Sequence, residues 1–215
     1  MTKTAATTAS RREQRRQQHH DLSRAQLLDA AEEVFGRKGF HETTLKEIAE
    51  LAEFSVGSVY SFFTNKDDLF SQIFVRRGEQ FMAGLRSVLT PDGSPVEQLH
   101  ALVEFEVGFF RQHPHFGRLY LQHSSATMPS NQRQVDAAVA GNYEEAMHLQ
   151  ADLFVRGQAR HDFRAGDPEV LSRLLSGLVS AYQALDPAVV SDQPRPTERL
   201  PLAELHDLVA AAFAA

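Results

Sequence analysis

Hydrophobic residues recur along this chain at the three- to four-residue spacing of amphipathic helices, and no stretch keeps the alternation typical of a β-strand. The first stripe predicts a helix that begins at Ser23, the first residue of a capping-box pattern, and ends near Gly39. A second capping box predicts a helix from Thr44, and a short third helix is predicted from Ser55. The pattern therefore predicts an all-α fold.

The remaining stripes are longer. A fourth helix is predicted from about Lys66 to Leu89, where a break rich in proline and glycine at 91–95 ends it. Five more helices are predicted, which makes about nine in total, at about 95–112, 114–124, 130–160, 167–186 and 201–214. The segment 186–201 contains four prolines and is predicted to be a loop.

The second and third predicted helices are joined by only about three residues, so they must cross at a steep angle, as in a helix-turn-helix motif. The first helix completes a small core, with Leu28, Phe35, Leu45, Ile48, Val59 and Phe63 as predicted members. Small side chains on the outer face of the third helix allow close approach to base edges in a DNA major groove. The candidates for base contacts are Val56, Gly57, Ser58 and Ser61. The candidates for phosphate contacts, at helix ends or edges, are Thr43 or Thr44, Tyr60 and Lys66. Ser55, at the start of the third helix, is a further DNA-binding candidate.

The distribution of charge supports a DNA partner, although the net charge of −6 does not. Six basic residues against two acidic ones precede and include Arg24, whereas 12 basic residues against 19 acidic ones lie from Asp67 to the C-terminus. A basic segment on an acidic body suits a protein that contacts phosphate at one end only. Residues 1–20, called the basic arm below, are predicted to be disordered.

The stretch from Thr43 to Leu69 resembles the DNA-binding region of TetR-type transcriptional regulators. The resemblance depends on Thr-Thr, then Ile-Ala, then a pattern of Ser, Gly, Ser, Tyr and Phe at 55, 57, 58, 60 and 63, then Asn65, Lys66 and Leu69. The similarity covers roughly residues 23–70. Glu53 departs from the family pattern, which usually has glycine in the interhelical turn, so Glu53 must adopt a left-handed or strained backbone at a cost of about 1 kcal/mol.

The resemblance implies a helix-turn-helix domain at 21–66 and a ligand-binding and dimerisation domain at 67–215. It also implies that the last two helices pair with their copies in a homodimer, which would read a palindromic operator in double-stranded DNA. Their sequences agree, because each carries an apolar stripe and small residues interrupt the first one, which permits close helix approach. These stripes are Val170, Leu174, Leu175, Leu178, Val179, Tyr182 and Leu185, and Leu202, Leu205, Leu208, Val209, Ala212 and Phe213. The alternative is that both stripes pack inside one chain.

A small-molecule pocket is expected among the middle helices, where aromatic residues are frequent and histidines supply polar groups. The candidate ligand-binding residues are Phe105, Phe109, Phe110, His113, Phe116, Tyr120, His123, Tyr143 and Met147. The implied function is that of a regulator, by family bias a repressor, which a small-molecule ligand releases from its operator.

Other classes of function have less support in the sequence. The chain has no cysteine, no Gly-x-Ser-x-Gly elbow, no glycine-rich phosphate loop and no zinc-ligand spacing, so no catalytic residue, metal or cofactor is predicted. An unusual helical hydrolase or lyase remains an alternative, as does a helical protein-interaction or ligand-binding module that does not bind DNA. Residues 1–20 lack an apolar signal-peptide region and no stretch predicts a membrane span, so a cytoplasmic location is expected.

Overall fold

A computed structural model describes the backbone of residues 3–123, 137–191 and 199–215, and the side chains of these residues except 3–10, 123 and 137–140. The described residues form ten helices and no β-strand, which confirms the all-α prediction. The helices are α1 (Lys3–Lys38), α2 (Leu45–Leu51), α3 (Val56–Phe62), α4 (Lys66–Val88), α5 (Pro95–Gln112), α6 (Pro114–His123), α7 (Ala137–Ala159), α8 (Pro168–Leu185), α9 (Pro187–Val190) and α10 (Leu202–Phe213).

The first helix differs from the prediction. It begins at Lys3, so Ser23 is a buried residue in mid-helix rather than a cap, and most of the basic arm is helical rather than disordered. The physical reason is that the chain contains no glycine or proline before Gly36, and the arm is rich in alanine, arginine and glutamine, which are good helix formers. Nothing local therefore breaks the helix at Ser23.

The chain divides into two compact units, Met1–Ile73 and Phe74–Ala215. In the first unit α1 packs against α2, and α2 packs against α3. The residues that fill this core are almost fully buried, and they include five of the six members that the sequence predicts: Leu28, Phe35, Ile48, Val59 and Phe63. Leu45 is half-buried.

The second unit is a helical bundle in which α7 packs on α8, and α5 packs on α6, α7 and α8. Its core holds Leu85, Leu102, Leu153, Phe154 and Leu175, none of which is exposed to solvent. The short helix α9 lies in the segment predicted to be a loop. It forms because Asp186 accepts a hydrogen bond from the backbone N–H of Ala188 and Pro187 occupies the first turn.

Asp186 anchors this segment to α5. Its side chain is fully buried and accepts a hydrogen bond from Arg111 Nε over 2.6 Å. Arg111 also donates to the hydroxyl of Tyr182 and to the carbonyl oxygen of Leu200. Within the part of the chain that the structure describes, none of the helices combines the length and hydropathy needed to cross a lipid bilayer.

Candidate DNA-binding surface and sensing unit

The turn between α2 and α3 sets the position of the candidate reading helix. The N–H of Phe54 donates to the carbonyl of Ala49 over 2.8 Å, and the N–H of Glu53 donates to the carbonyl of Glu50 over 3.2 Å. This pair of bonds is the Schellman arrangement, which needs a left-handed residue after the helix. Glu53 is that residue, with φ of 60°, as its departure from the family's glycine predicts.

Helix α2 begins at a complete capping box. Thr44 Oγ1 accepts a hydrogen bond from the N–H of Glu47, and the Glu47 carboxylate accepts one from the N–H of Thr44. The carboxylate also binds the ammonium group of Lys38. The hydrogen bonds from Lys38 and Thr44 lower the pKa of Glu47 to about 2.

Helix α3 presents one exposed face. Ser55 caps it, because its Oγ accepts a hydrogen bond of 3.0 Å from the N–H of Ser58. The outer positions are at 56, 57, 60 and 61, with 37% of Val56 and 57% of Tyr60 exposed. Val59 and Phe63 are buried on the opposite side. The structure thus brings together on one surface the predicted contacts Val56, Gly57, Tyr60 and Ser61.

The hydroxyl groups of two predicted contacts have partners within the helix. Ser61 Oγ donates to the carbonyl of Ser58 over 2.6 Å, and Ser58 Oγ lies 2.8 Å from Ser55 Oγ. Each oxygen retains a free lone pair, so a DNA base can still donate to it. Gly57 leaves open space, because an added Cβ would meet only Ser55 Oγ, at 3.7 Å.

Two residues predicted to contact phosphate, Thr43 and Lys66, instead donate hydrogen bonds to backbone carbonyls of the first unit. Only 1% of Thr43 is exposed, and its hydroxyl donates to the carbonyl of Gly39 over 2.7 Å, so its role is structural. Of the two threonines predicted as alternatives, the exposed Thr44 therefore stays a candidate for a phosphate contact. Lys66 Nζ is directed to the carbonyl oxygens of Phe40 and Thr43, at 2.9 and 3.0 Å, and lies 4.4 Å from the centre of the Phe40 ring. These hydrogen bonds hold the loop between α1 and α2 against the start of α4. The position of Lys66 in the sequence does not predict them.

Six predicted ligand-binding residues of the second unit form one aromatic cluster. Phe109 contacts the rings of Phe105, Phe110, His113 and Phe116, with centroids 4.9 to 6.3 Å apart. Tyr120 joins through Phe110, at 5.1 Å. Phe74 and Phe81 of α4 also belong to it.

The other predicted ligand residues are placed differently. Tyr143 and Met147 line a groove of about 280 Å³, together with Ser172 and Arg173 of α8. The side chain of His123 lies outside the described residues. A groove of about 440 Å³ lies along α5 and the start of α10, and none of its lining residues was predicted to bind a ligand. They include Val107, Gly108, Arg111 and Leu202.

A buried polar group near the aromatic cluster was also missed. Gln150 Nε2 donates to the carboxyl group of Glu106 over 3.0 Å, and Ser176 Oγ donates to Gln150 Oε1 over 3.1 Å. Glu106 and Gln150 are 6% and 1% exposed. Burial raises the pKa of Glu106 to about 7, and the hydrogen bond from Gln150 opposes this only in part. Helical spacing could have found Glu106, because it lies four residues after Leu102 and three after Val103, both of which are buried.

The structure also separates the two faces of α8. Leu175 and Val179 of the predicted dimer stripe are buried, as is the neighbouring Leu171, so this part of the stripe packs inside the chain. An exposed apolar face, called the α8 stripe below, runs at spacings of three or four residues along Val170, Leu174, Gly177, Ala181 and Leu185. On α10, Leu205, Val209 and Phe213 are buried and Leu208 is 57% exposed.

Comparison with known proteins finds a family match for the N-terminal part of the chain. Residues 27–73 match the family described as "Bacterial regulatory proteins, tetR family". The match covers the second part of α1, α2, α3 and the start of α4, so this part of the chain is similar to TetR-family regulatory proteins. Over 118 residues it is 31% identical to the HTH-type transcriptional activator FasR of Mycolicibacterium smegmatis, a match that covers 55% of this chain and 54% of FasR. The chain thus spans about half the length of this curated relative.

Solved structures of TetR-family regulators share the fold. A TetR-like regulator from Rhodococcus sp. RHA1 has 26% identity and a TM-score of 0.66, over 88% of this chain and 92% of that one. AibR, solved in complex with isovaleryl coenzyme A and operator DNA, has 18% identity and a TM-score of 0.70, over 88% of this chain and 97% of AibR. At that identity the likeness to AibR supports the fold alone.

Among the described residues there is no group of three or more histidine, aspartate or glutamate side chains placed to hold a metal ion.

Proposed function

We propose that this chain is a TetR-type transcriptional regulator that binds a palindromic operator as a homodimer and leaves it when a small molecule binds the second unit. The observation that carries the proposal is the exposed face of α3, which is held from behind by Val59 and Phe63. A rigid short helix with small outer side chains fits a major groove about 12 Å wide.

The dimer is part of the proposal because one helix of seven residues meets too few base pairs for useful specificity. Two copies related by a two-fold axis read two half-sites about 34–36 Å apart. The α8 stripe supports this pairing, because an added Cβ at Gly177 would meet no other atom and the stripe is apolar along four turns. A second copy of the same stripe is self-complementary in shape and polarity.

Control by a ligand is proposed through α4. This helix begins at Lys66 in the first unit and carries Phe74 and Phe81, which belong to the aromatic cluster of the second. A ligand that enters the cluster must move these rings, and a coupling of about 1–3 kcal/mol would weaken operator binding about 5- to 150-fold. Because AibR was solved with isovaleryl coenzyme A, that compound is the first ligand to test.

A helical regulator of this kind acts on DNA, so we assign the chain to the cytoplasm and assign it no catalytic activity. The family that it matches consists of regulatory proteins. Among the described residues, no cluster of side chains supports an enzyme more strongly than the exposed face of α3 supports a DNA-binding regulator.

The test is selection of bound sequences from a pool of random DNA duplexes by the full-length chain, followed by sequencing. We expect a palindrome with half-sites about one helical turn apart, centre to centre. Tyr60→Ala should reduce affinity for the selected duplex at least tenfold. Tyr143→Ala is the matched control, because this tyrosine is 50% exposed, compared with 57% for Tyr60, and should leave affinity unchanged. Selection of no sequence, or equal loss in both variants, would overturn the proposal.

A further inference from the structure

Most of the basic arm is the N-terminal part of helix α1, so its basic side chains have fixed positions along a helix. Its side chains are described from Arg11, and every residue from Arg11 to Leu22 is exposed. Arg11, Arg12, Arg15 and Arg16 occur at positions i, i+1, i+4 and i+5, so they share one side of the helix. We call this set the arginine face. It concentrates four positive charges on a chain whose net charge is −6.

The ion pair that the arginine face makes with a described side chain is weak. Arg16 contacts Glu13 over 3.1 Å, with 81% of the arginine side chain and 69% of the glutamate side chain exposed. A surface ion pair of this kind contributes about 0–1 kcal/mol, so a phosphate can replace the glutamate at little cost. The arginine face is therefore available to a polyanion.

The position of the arm within the first unit indicates which polyanion it meets. The ring of His20 lies 4.7 Å from the ring of Phe62, the last residue of α3. The arm thus leaves the unit beside the C-terminal end of the candidate reading helix. At a rise of about 1.5 Å per residue, Arg16 lies about 6 Å and Arg11 about 14 Å beyond His20 along the helix axis.

We propose that the arginine face binds the phosphates of DNA just outside the operator, as a preformed helix. This inference rests on the proposed function, because it needs α3 to be placed on DNA. A reach of about 14 Å corresponds to about four base pairs at 3.4 Å each, so the contacts lie on the flank of each half-site. Phosphate contacts carry no base code, so the flank contributes affinity whatever its sequence.

The test uses the operator obtained by selection, in two duplexes. One ends at the edge of the palindrome, and the other extends it by about 10 base pairs on each side, one helical turn. Affinity is measured by fluorescence anisotropy at several salt concentrations. Each phosphate contact adds about 0.9 to the slope of log affinity against log salt, so the longer duplex should give a slope steeper by about 3–4 per protomer.

Two matched variants separate charge from structure. Replacing all four arginines of the arginine face by glutamine keeps helix propensity and should abolish the difference in slope between the duplexes. Replacing the same four by lysine keeps the charge and should preserve it. Circular dichroism and the oligomeric state should be unchanged in both.

The outcomes distinguish this inference from the proposed function. Tyr60→Ala should weaken binding to both duplexes equally and leave the difference in slope intact. If the protein selects an operator but wild type gives equal slopes on both duplexes, or the glutamine variant retains the difference, the arm proposal is wrong and the proposed function stands. If no operator is selected, both are wrong.

Discussion

Gln150 donates a hydrogen bond of 3.0 Å to the carboxyl group of Glu106 in the interior of the second unit. The amide is neutral, so it cannot offset the cost of burying a negative charge, and burial raises the pKa of Glu106 to about 7. The group therefore holds a proton in the folded chain at pH values where the unfolded chain, in which a glutamate has its ordinary pKa of 4.5, has lost it.

This difference makes folding stability depend on pH. A pKa that is higher in the folded state gives full stability below about pH 4.5, and stability falls as pH rises to about 7. The loss should be about 3 kcal/mol, at 1.36 kcal/mol per pKa unit. Urea denaturation at pH 5 and pH 8 measures it. Glu106→Gln should remove most of this loss, whereas Glu104→Gln, at an exposed neighbouring position, should not. Equal losses in wild type and Glu106→Gln would contradict the assignment.

The turn residue Glu53 predicts a stabilising substitution. Its φ of 60° is a left-handed conformation that costs a residue with a Cβ about 1–2 kcal/mol. Glu53→Gly should therefore raise the free energy of unfolding of the first unit by about 1 kcal/mol. Glu50→Gly, in the last turn of α2, should instead lower it by about 1 kcal/mol, because glycine is a poor helix former. Thermal and urea denaturation of both variants measure whether the free energy of unfolding rises or falls. A destabilised Glu53→Gly would contradict the strain assigned to Glu53.

The capping box of α2 should be visible in a titration. Lys38 and Thr44 lower the pKa of Glu47 to about 2, so its ionised form contributes stability above about pH 4.5, and this contribution is lost as pH falls towards 2. Carbon-13 NMR of the side-chain carboxyl group measures the pKa. Lys38→Met should raise it towards 4.5. Lys46→Met is the control, because Lys46 pairs with Glu50 rather than Glu47, and a shift of Glu47 in this control would argue against the assigned cause.

The helices that can be predicted from sequence are those whose ends are set by local chemistry. Ser55 and Thr44 cap their helices as expected, because a side-chain oxygen two or three residues before a free N–H suffices to define a start. Ser23 shows the limit of this reasoning. A capping pattern inside a longer run of good helix formers has no break to cap, so the helix continues through it.

Positions of single site residues depend on contacts that are distant in sequence. The exposed face of α3 follows from helical spacing and was predictable. Lys66 was not, because its ammonium group is directed to carbonyl oxygens 23 and 26 residues earlier in the chain. The predicted dimer stripe of α8 also combined residues of a buried face and an exposed face. Both faces are apolar, so only the packing of α7 and α10 against α8 decides which one is buried.

The inward contacts of Lys66 predict a structural defect on its removal. Lys66→Met should lower the free energy of unfolding of the first unit by about 2 kcal/mol, because hydrogen bonds to a charged group contribute about 1.5–3 kcal/mol. Lys46→Met should change it by less than about 0.5 kcal/mol, because Lys46 is a surface residue. Urea denaturation followed by circular dichroism compares them. If Lys66→Met is as stable as the wild type, these hydrogen bonds do not stabilise the first unit, and Lys66 is again a candidate for a phosphate contact.

The α8 stripe predicts a substitution that disrupts the proposed homodimer. Leu174 is 58% exposed in the middle of the stripe, so Leu174→Arg leaves the fold of one chain intact but places two like charges against each other in the homodimer. Sedimentation at micromolar concentration should give a monomer with wild-type helix content. Val155→Arg, at a similarly exposed apolar position of α7, should remain a dimer. Because a monomer contacts only one half-site, Leu174→Arg should also lose affinity for the palindrome by orders of magnitude while its affinity for an isolated half-site stays the same. A dimeric Leu174→Arg would show that the two chains pair through another surface.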